Sequence, residues 1–356
     1  MYVLVWMFAL LIFNCVILVH ELGHYLAARK FNVKVSEFAI GMGPKIFKFE
    51  KDGILYSIRC FPIGGFCEME GEDDPMNESG SFHKKPIWQR VTILVAGAFM
   101  NVILGVVFSL LLCLYKEGVP TTTVSRFASS SASEKTGLKT GDEIIAINDY
   151  KTHIERDIVF AISTSNTESF KIDVIRNNKL VTLRNVYFTF VQSRNGSYVP
   201  EIDFFLLREP KNFVNVINYS VIDVGSVIRM AYRSIVGLIL GKFSVKDVAG
   251  PVGIASQVGN ITNQGLEIDF LFAIMNVLAF MMMVSVSIGI FNLLPFPALD
   301  GGRIVMLIPE MLTKKPVSQK VESIVHAVGF WSLMLLLVAV TYNDILRTIK
   351  GVLSAR

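Results

Sequence analysis

Residues 1–24 read MYVLVWMFALLIFNCVILVHELGH, and two features of this stretch set the class of molecule. Residues 1–19 contain no Asp, Glu, Lys, Arg or His. As a helix rising 1.5 Å per residue they would cover about 28 Å, close to the roughly 30 Å of bilayer hydrocarbon. The run starts uncharged, lacks the basic leader and small-residue cleavage site of a signal peptide, and leads straight into His20 and Glu21. A retained transmembrane helix is therefore expected. Within it His20 and His24 stand about one turn apart on one face, where two imidazoles can hold one zinc ion, with Glu21 beside them. Zinc needs a third protein ligand and an open position for water, whose pKa it lowers to about 7, and Glu21 is placed to move that water's proton to a leaving amine. Ionisable groups near mid-membrane cost roughly 2.5–3.5 kcal/mol each, so their presence here argues for a paired or functional role.

Further uncharged runs cover Val91 to Tyr115, Phe270 to Leu299, and Ser323 to Asn343, the last interrupted only by His326. Four spans are expected. Composition agrees: 52% of the 356 residues are hydrophobic and 18% charged, against about 25% charged in soluble domains. That balance excludes a disordered chain or a soluble basic protein. The net charge of +4 is small for this length and no dense basic cluster accompanies it, so nucleic acid is not an expected partner. Cys15, Cys60, Cys67 and Cys113 form no CxxC pair, which indicates neither a disulfide framework nor a cysteine zinc knuckle. No organic cofactor is expected.

Arg29, Lys30, Lys34, Lys45, Lys48, Lys51, Arg59, Lys84, Lys85 and Arg90 separate spans one and two, and Arg303, Lys314, Lys315 and Lys320 separate three and four. This bias predicts cytoplasmic loops there and both termini outside. From Thr121 to about Phe190 polar and apolar residues alternate, as in Glu143-Ile144-Ile145-Ala146-Ile147-Asn148, which predicts a small β-rich soluble domain. Val214, Ile217, Val221, Val224, Ile228, Ala231, Ile235 and Leu238 then recur at helical spacing. They fit either an amphipathic helix on the membrane surface or one packed on the soluble domain. After span one, Phe38 to Gly43 and Ile54 to Ile58 read as short strands, closed by turn chemistry at Pro62-Ile63-Gly64-Gly65-Phe66. This loop is either a sheet dipping toward an active site, where protein covers its backbone, or a plain cytoplasmic hairpin.

For the third zinc ligand the best candidate is Asp300, in Asn292-Leu293-Leu294-Pro295-Phe296-Pro297-Ala298-Leu299-Asp300-Gly301-Gly302. It falls on the same side as the histidines by the charge bias, after two prolines that break the helix and before two glycines that allow close backbone approach. An aspartate capping the span is the plain alternative. His326 and His83 lack any motif and rank behind it.

These motifs together resemble the site-2 protease family of intramembrane zinc proteases (peptidase family M50), in particular its bacterial regulator-of-sigma-E branch. The likeness covers nearly the whole chain and extends to Gly41-Met42-Gly43, Pro62 to Phe66, Gln89-Arg90, Gly97 to Asn101 and Gly250-Pro251-Val252-Gly253-Ile254-Ala255. It implies that His20, His24 and Asp300 bind Zn²⁺, that Glu21 is the base, and that the sheet-like loop holds the substrate as an extended strand. It also makes Asn292, Pro295 and Pro297 substrate-binding or site-shaping positions. Ala98, Phe296 and Phe66-Cys67 depart from residues frequent in the family, and none is a metal ligand. Thr136 to Asn148, with Gly137, Gly141 and Asp142, resembles the core of a PDZ domain, either a peptide-binding module or a steric gate.

The expected fold is thus a polytopic α-helical membrane protein with four transmembrane helices, a membrane-associated β-hairpin or sheet loop, and an inserted β-rich PDZ-like domain. Its segments are 1–116 (two spans, zinc motif and β loop), 117–200 (extracytoplasmic PDZ-like domain), 201–262 (interfacial helix and linker) and 263–356 (last two spans). The resemblance implies a multi-pass protein of the bacterial inner membrane, cutting peptide bonds in or near the transmembrane segments of other membrane proteins, such as anti-sigma factors or signal-peptide remnants. The zinc site is expected near the cytoplasmic side. A zinc transporter would need further carboxylates or histidines along spans two and three, which have none, and a silent scaffold has no use for an intact His20, Glu21, His24 and Asp300.

Overall fold

The computed structural model describes residues 1–72, 80–165, 167–192, 198–241, 249–314 and 317–354. Lys315 of the basic loop, and residues 166, 193–197 and 242–248 of the expected inserted domain and linker, lie outside the described residues. In chain order the elements are α1 (Tyr2–Lys30), β1 (Val35–Lys51), β2 (Ile54–Met69), α2 (Ile87–Tyr115), β3 (Val119–Phe127), α3 (Ala132–Lys135), β4 (Glu143–Ile147), β5 (Tyr150–Lys151), α4 (Glu155–Ser163), β6 (Ser169–Arg176), β7 (Lys179–Tyr187), β8 (Thr189–Gln192), β9 (Tyr198–Glu201), β10 (Phe204–Glu209), α5 (Phe213–Ile239), α6 (Pro251–Leu266), α7 (Phe270–Asn292), α8 (Asp300–Thr313) and α9 (Gln319–Ser354). Helices α1, α2 and α7, and the Lys320–Ile349 part of α9, are long and apolar enough to cross a membrane. The chain divides into two compact units, residues 1–108 with 235–354, and residues 109–234.

In the first unit α1 runs without interruption from the apolar segment through the zinc motif. It ends at Lys30 with Arg29 and Lys30 in its last turn, where basic charge suits the helix dipole, and Asn32 at φ +54 turns the chain just beyond it. The next segment differs from its sequence reading. Pro62 to Phe66 is not a closing turn but part of β2, and the reversal between β1 and β2 is made by Asp52 and Gly53, both at positive φ. The β1–β2 ribbon folds back on itself, so Glu37 to Ile40 pair both with Leu55 to Ile58 and with Gly65 to Glu68. Glycines at positive φ make the bends: Gly41 and Gly43 in β1, and Gly64 in β2. Inside this sheet the buried Glu37 carboxylate accepts from Lys45 Nζ at 2.8 Å, Ser57 Oγ at 2.5 Å and Arg59 Nη2 at 2.9 Å.

Helix α2 starts after Pro86, earlier than the uncharged run, and takes Arg90 into the interior. That guanidinium bonds Glu310 of α8 and lies 5.9 Å from the Phe82 ring. The Gly250-Pro251-Val252-Gly253 motif opens α6, with Pro251 at its first position. The buried Asp344 of α9 caps it, Oδ2 accepting from Gly250 N–H at 2.9 Å and Gly253 N–H at 2.7 Å. A Cβ on either glycine would stand within 3.0 Å of that carboxylate, which explains the motif's small residues.

The second unit is built on a sheet ordered β10-β3-β4-β6-β7, with β5 paired to β4. Its core is apolar, centred on Leu138, Ile144, Ile147, Ile158, Phe170 and Ile172. The turn before β4 has Gly137 and Gly141 at positive φ, and Asp142 accepts from Lys139 N–H and from the Arg176 guanidinium. In α5 the polar residues face inward: Asp223 bonds Ser109 and Arg156, while Arg229 bonds Asp157. Val214, Val221 and Ile228 of the apolar stripe are exposed instead.

Candidate metal centre

Three ligand atoms converge between α1 and the start of α8. His20 Nε2 and His24 Nε2 lie 3.2 Å apart, and Asp300 Oδ2 is 3.2 Å from the first and 3.4 Å from the second. A tetrahedral zinc ion with ligands at about 2.0–2.1 Å needs those ligand atoms about 3.3 Å from one another. The donor set fits. Both histidines are buried, and Asp300 Oδ2 is a buried acceptor with no hydrogen-bond partner, the condition of a carboxylate oxygen that a cation would satisfy. Among the described residues this is the one group of three His, Cys, Asp or Glu side chains close enough to share a metal ion.

Close helix packing makes the convergence possible. A Cβ at Gly97 of α2 would lie 2.3 Å from His24 Nε2, and one at Gly23 of α1 would lie 2.3 Å from the Ala96 carbonyl oxygen. These glycines let α2 lie directly against the histidine face. His24 is oriented by a 2.9 Å contact from Nδ1 to the Ile93 carbonyl, so its Nδ1–H is donated there and Nε2 is left for a metal. His20 Nδ1 meets the buried Asn101 side chain at 3.4 Å.

Span three ends sooner than its uncharged run suggests. α7 stops at Asn292, the Pro295 and Pro297 loop intervenes, and Asp300 is the first residue of a new helix, α8, rather than the tail of α7. A carboxylate suits that helix N-terminus. Gly301 and Gly302 admit the returning loop, since a Cβ on either would stand 2.2 Å from a loop carbonyl oxygen. Ala298 is held at φ +73, a strained conformation for a residue with a Cβ, and its N–H donates to His326 Nδ1 at 3.2 Å. His83 contacts the Gly71 carbonyl and Glu322, so both weaker candidates stand outside the three-atom group. Asn292 Nδ2 lies 3.0 Å from His20 Nε2. Pro297 packs on Gly329, while Pro295 is exposed.

The three side chains open into a cavity of about 350 Å³, also lined by Glu21, Cys67, Met69 and Asn292. Glu21 Oε2 accepts from the Cys67 N–H at 3.1 Å. Among the described residues Gly65 to Met69 pairs with β1 on one side only, so the sheet presents an edge to this cavity. Sequence reasoning gave Gly97, Asn101, Cys67 and Met69 no role in the site. The available signals were the resemblance over Gly97 to Asn101, a glycine in the middle of an apolar run, and the reading of the β loop as a sheet near the site.

A sequence profile of peptidase family M50 matches residues 8–336. The chain belongs to peptidase family M50. Relatives agree over almost their full length. A provisionally named zinc metalloprotease of Clostridium acetobutylicum is 35% identical over 347 residues, covering 96% of this chain and 97% of that one. The regulator of sigma-W protease RasP of Bacillus subtilis is 28% identical, covering 95% of this chain and 97% of its own. The zinc metalloprotease RasP of Bacillus licheniformis is 29% identical over 95% of this chain and 98% of its own. This M50 protein is accordingly a relative of zinc metalloproteases with, among the described residues, four helices long and apolar enough to cross a membrane, and zinc is its cofactor.

Proposed function

We propose that this M50 protein is an intramembrane endopeptidase that hydrolyses peptide bonds within or beside the transmembrane segments of other membrane proteins. The observation carrying this reading is a tetrahedral-sized ligand set between the apolar helix α1 and the start of α8, opening into a cavity beside a strand edge. Transmembrane helices satisfy their backbone internally, so a protease must take the cut segment in extended form. An edge strand supplies the missing partners. His20, His24 and Asp300 hold zinc, which when bound contributes Lewis acidity that polarises a peptide carbonyl and acidifies water. Glu21 takes a proton from the attacking water and returns it to the leaving nitrogen. The Cys67 N–H that Glu21 now accepts fixes its carboxylate beside the edge. Asn292 Nδ2, close to His20 Nε2, is within reach of the scissile carbonyl oxygen as a donor.

The basic residues between α1 and α2 favour a cytoplasmic position for that loop, hence a zinc site near the cytoplasmic side of a bacterial inner membrane and a PDZ-like unit on the outer side. That unit screens substrates by the size or sequence of their outer portion, and anti-sigma factors or signal-peptide remnants fit such a filter. Comparing membrane-peptide profiles of cells carrying the parent and Glu21→Gln tests the proposal. Transmembrane fragments should accumulate uncut in the variant. Identical profiles in a membrane containing both folded proteins would contradict it.

A further inference from the structure

We infer that Asn101 is a positioning residue for the metal centre, its side-chain carbonyl Oδ1 accepting the Nδ1–H of His20 and thereby presenting Nε2 to zinc. The inference rests on the reading of His20 as a ligand. His20 Nε2 is the ring nitrogen that faces His24 Nε2 and Asp300 Oδ2. A neutral imidazole that gives Nε2 to a metal carries its proton on Nδ1 and needs an acceptor there. For His24 the acceptor is the Ile93 carbonyl. For His20 the group at Nδ1 is the Asn101 carboxamide, 3.4 Å away and fully buried. With Nδ2 toward the ring, two donors would face each other, and Asn101 Oδ1 has no partner in its buried position. Rotating the carboxamide by half a turn exchanges two atoms of nearly equal size and pairs the His20 Nδ1–H with Asn101 Oδ1, while Nδ2 takes the place where Oδ1 had no partner.

The surroundings hold Asn101 at this station. Its backbone carbonyl accepts from Ser285 Oγ at 3.0 Å, and a Cβ on Gly289 of α7 would press to 3.3 Å from its own Cβ. The two histidines thus have acceptors of different kinds: a main-chain carbonyl that no substitution removes, and a side chain that one can.

The test is zinc affinity of the purified full-length protein, measured by chelator competition, for Asn101→Leu and Asn101→Asp, with the thermal unfolding of each metal-free protein as control. Asn101→Leu keeps the branched outline and cannot accept, so zinc should bind about 10- to 100-fold more weakly. Asn101→Asp keeps an oxygen at the ring and should hold zinc within a few-fold of the parent. A packing role predicts no loss for Asn101→Leu, and a donor role predicts that Asn101→Asp fails as badly as Asn101→Leu; either result overturns the inference. If Asn101→Leu does not fold, Asn101→Asp decides alone, by retention or loss of affinity. His24→Ala separates the two readings. Zinc lost there but kept in Asn101→Leu rejects only the role of Asn101, and zinc kept in His24→Ala rejects the metal site itself.

Discussion

A methyl group at position 97 would stand 2.3 Å from His24 Nε2 and 2.8 Å from His20 Cε1, so the smallest possible side chain there competes with zinc for the same space. Gly97→Ala should therefore remove most bound zinc, and metal analysis of the folded variant checks this; full occupancy would mean that α2 can retreat without disturbing the histidines. Asp300→Ala should also lose zinc, because two histidines alone leave a three-residue site incomplete. Retained stoichiometric zinc would move the third ligand, with His326 the first place to look. At this scale the sequence was legible where chemistry is local. His20, Glu21 and His24 share one turn of one helix, and Asp300 follows two prolines that force the chain to turn. Gly97 and Asn101 were not assigned roles, since these depend on which face α2 turns to α1, and an apolar span with no polar stripe carries no record of that azimuth.

Among the elements, the β1–β2 ribbon departs furthest from its sequence pattern. Short strands beside glycines were legible, yet the glycines bend strands instead of ending them, so the ribbon coils into a sheet whose last segment lies beside Glu21. Glu37 fixes that coil. Burial works to raise its carboxyl, but Lys45, Ser57 and Arg59 outweigh this and hold it at about 2, below the ordinary 4.5. A depressed carboxylate stabilises the fold fully above its unfolded value. That contribution is lost as pH falls from about 4.5 toward 2. Glu37→Gln should unfold at lower temperature than the parent near neutrality, and the gap should close on acidification through that window. A constant gap would show that Glu37 contributes packing alone.

For the whole molecule, composition and the four uncharged runs made the membrane class legible, and alternation made the β-rich insert legible. What lies against α5 stayed open between the membrane surface and the soluble domain, because Asp223 and Arg229 look like a solvated face; they bond Ser109 of α2 and Arg156 and Asp157 of α4. If the inserted unit is an outer-face filter, removing residues 121–190 should leave zinc bound and permit cleavage of substrates whose bulky outer domains protect them. Unchanged selectivity between long and trimmed substrates in a folded, zinc-loaded deletion would contradict this, as would labelling of a cysteine at exposed Asn178 from the cytoplasmic side. The most direct measurement joins metal and chemistry in one preparation: the parent and Glu21→Gln, reconstituted in vesicles with a transmembrane substrate, assayed for zinc content and for the position of the cut. The expected result is equal zinc in both, and a cut within or beside the transmembrane segment made by the parent alone. Cleavage by Glu21→Gln at near the parent rate, or cuts confined to soluble regions of the substrate, would contradict the account.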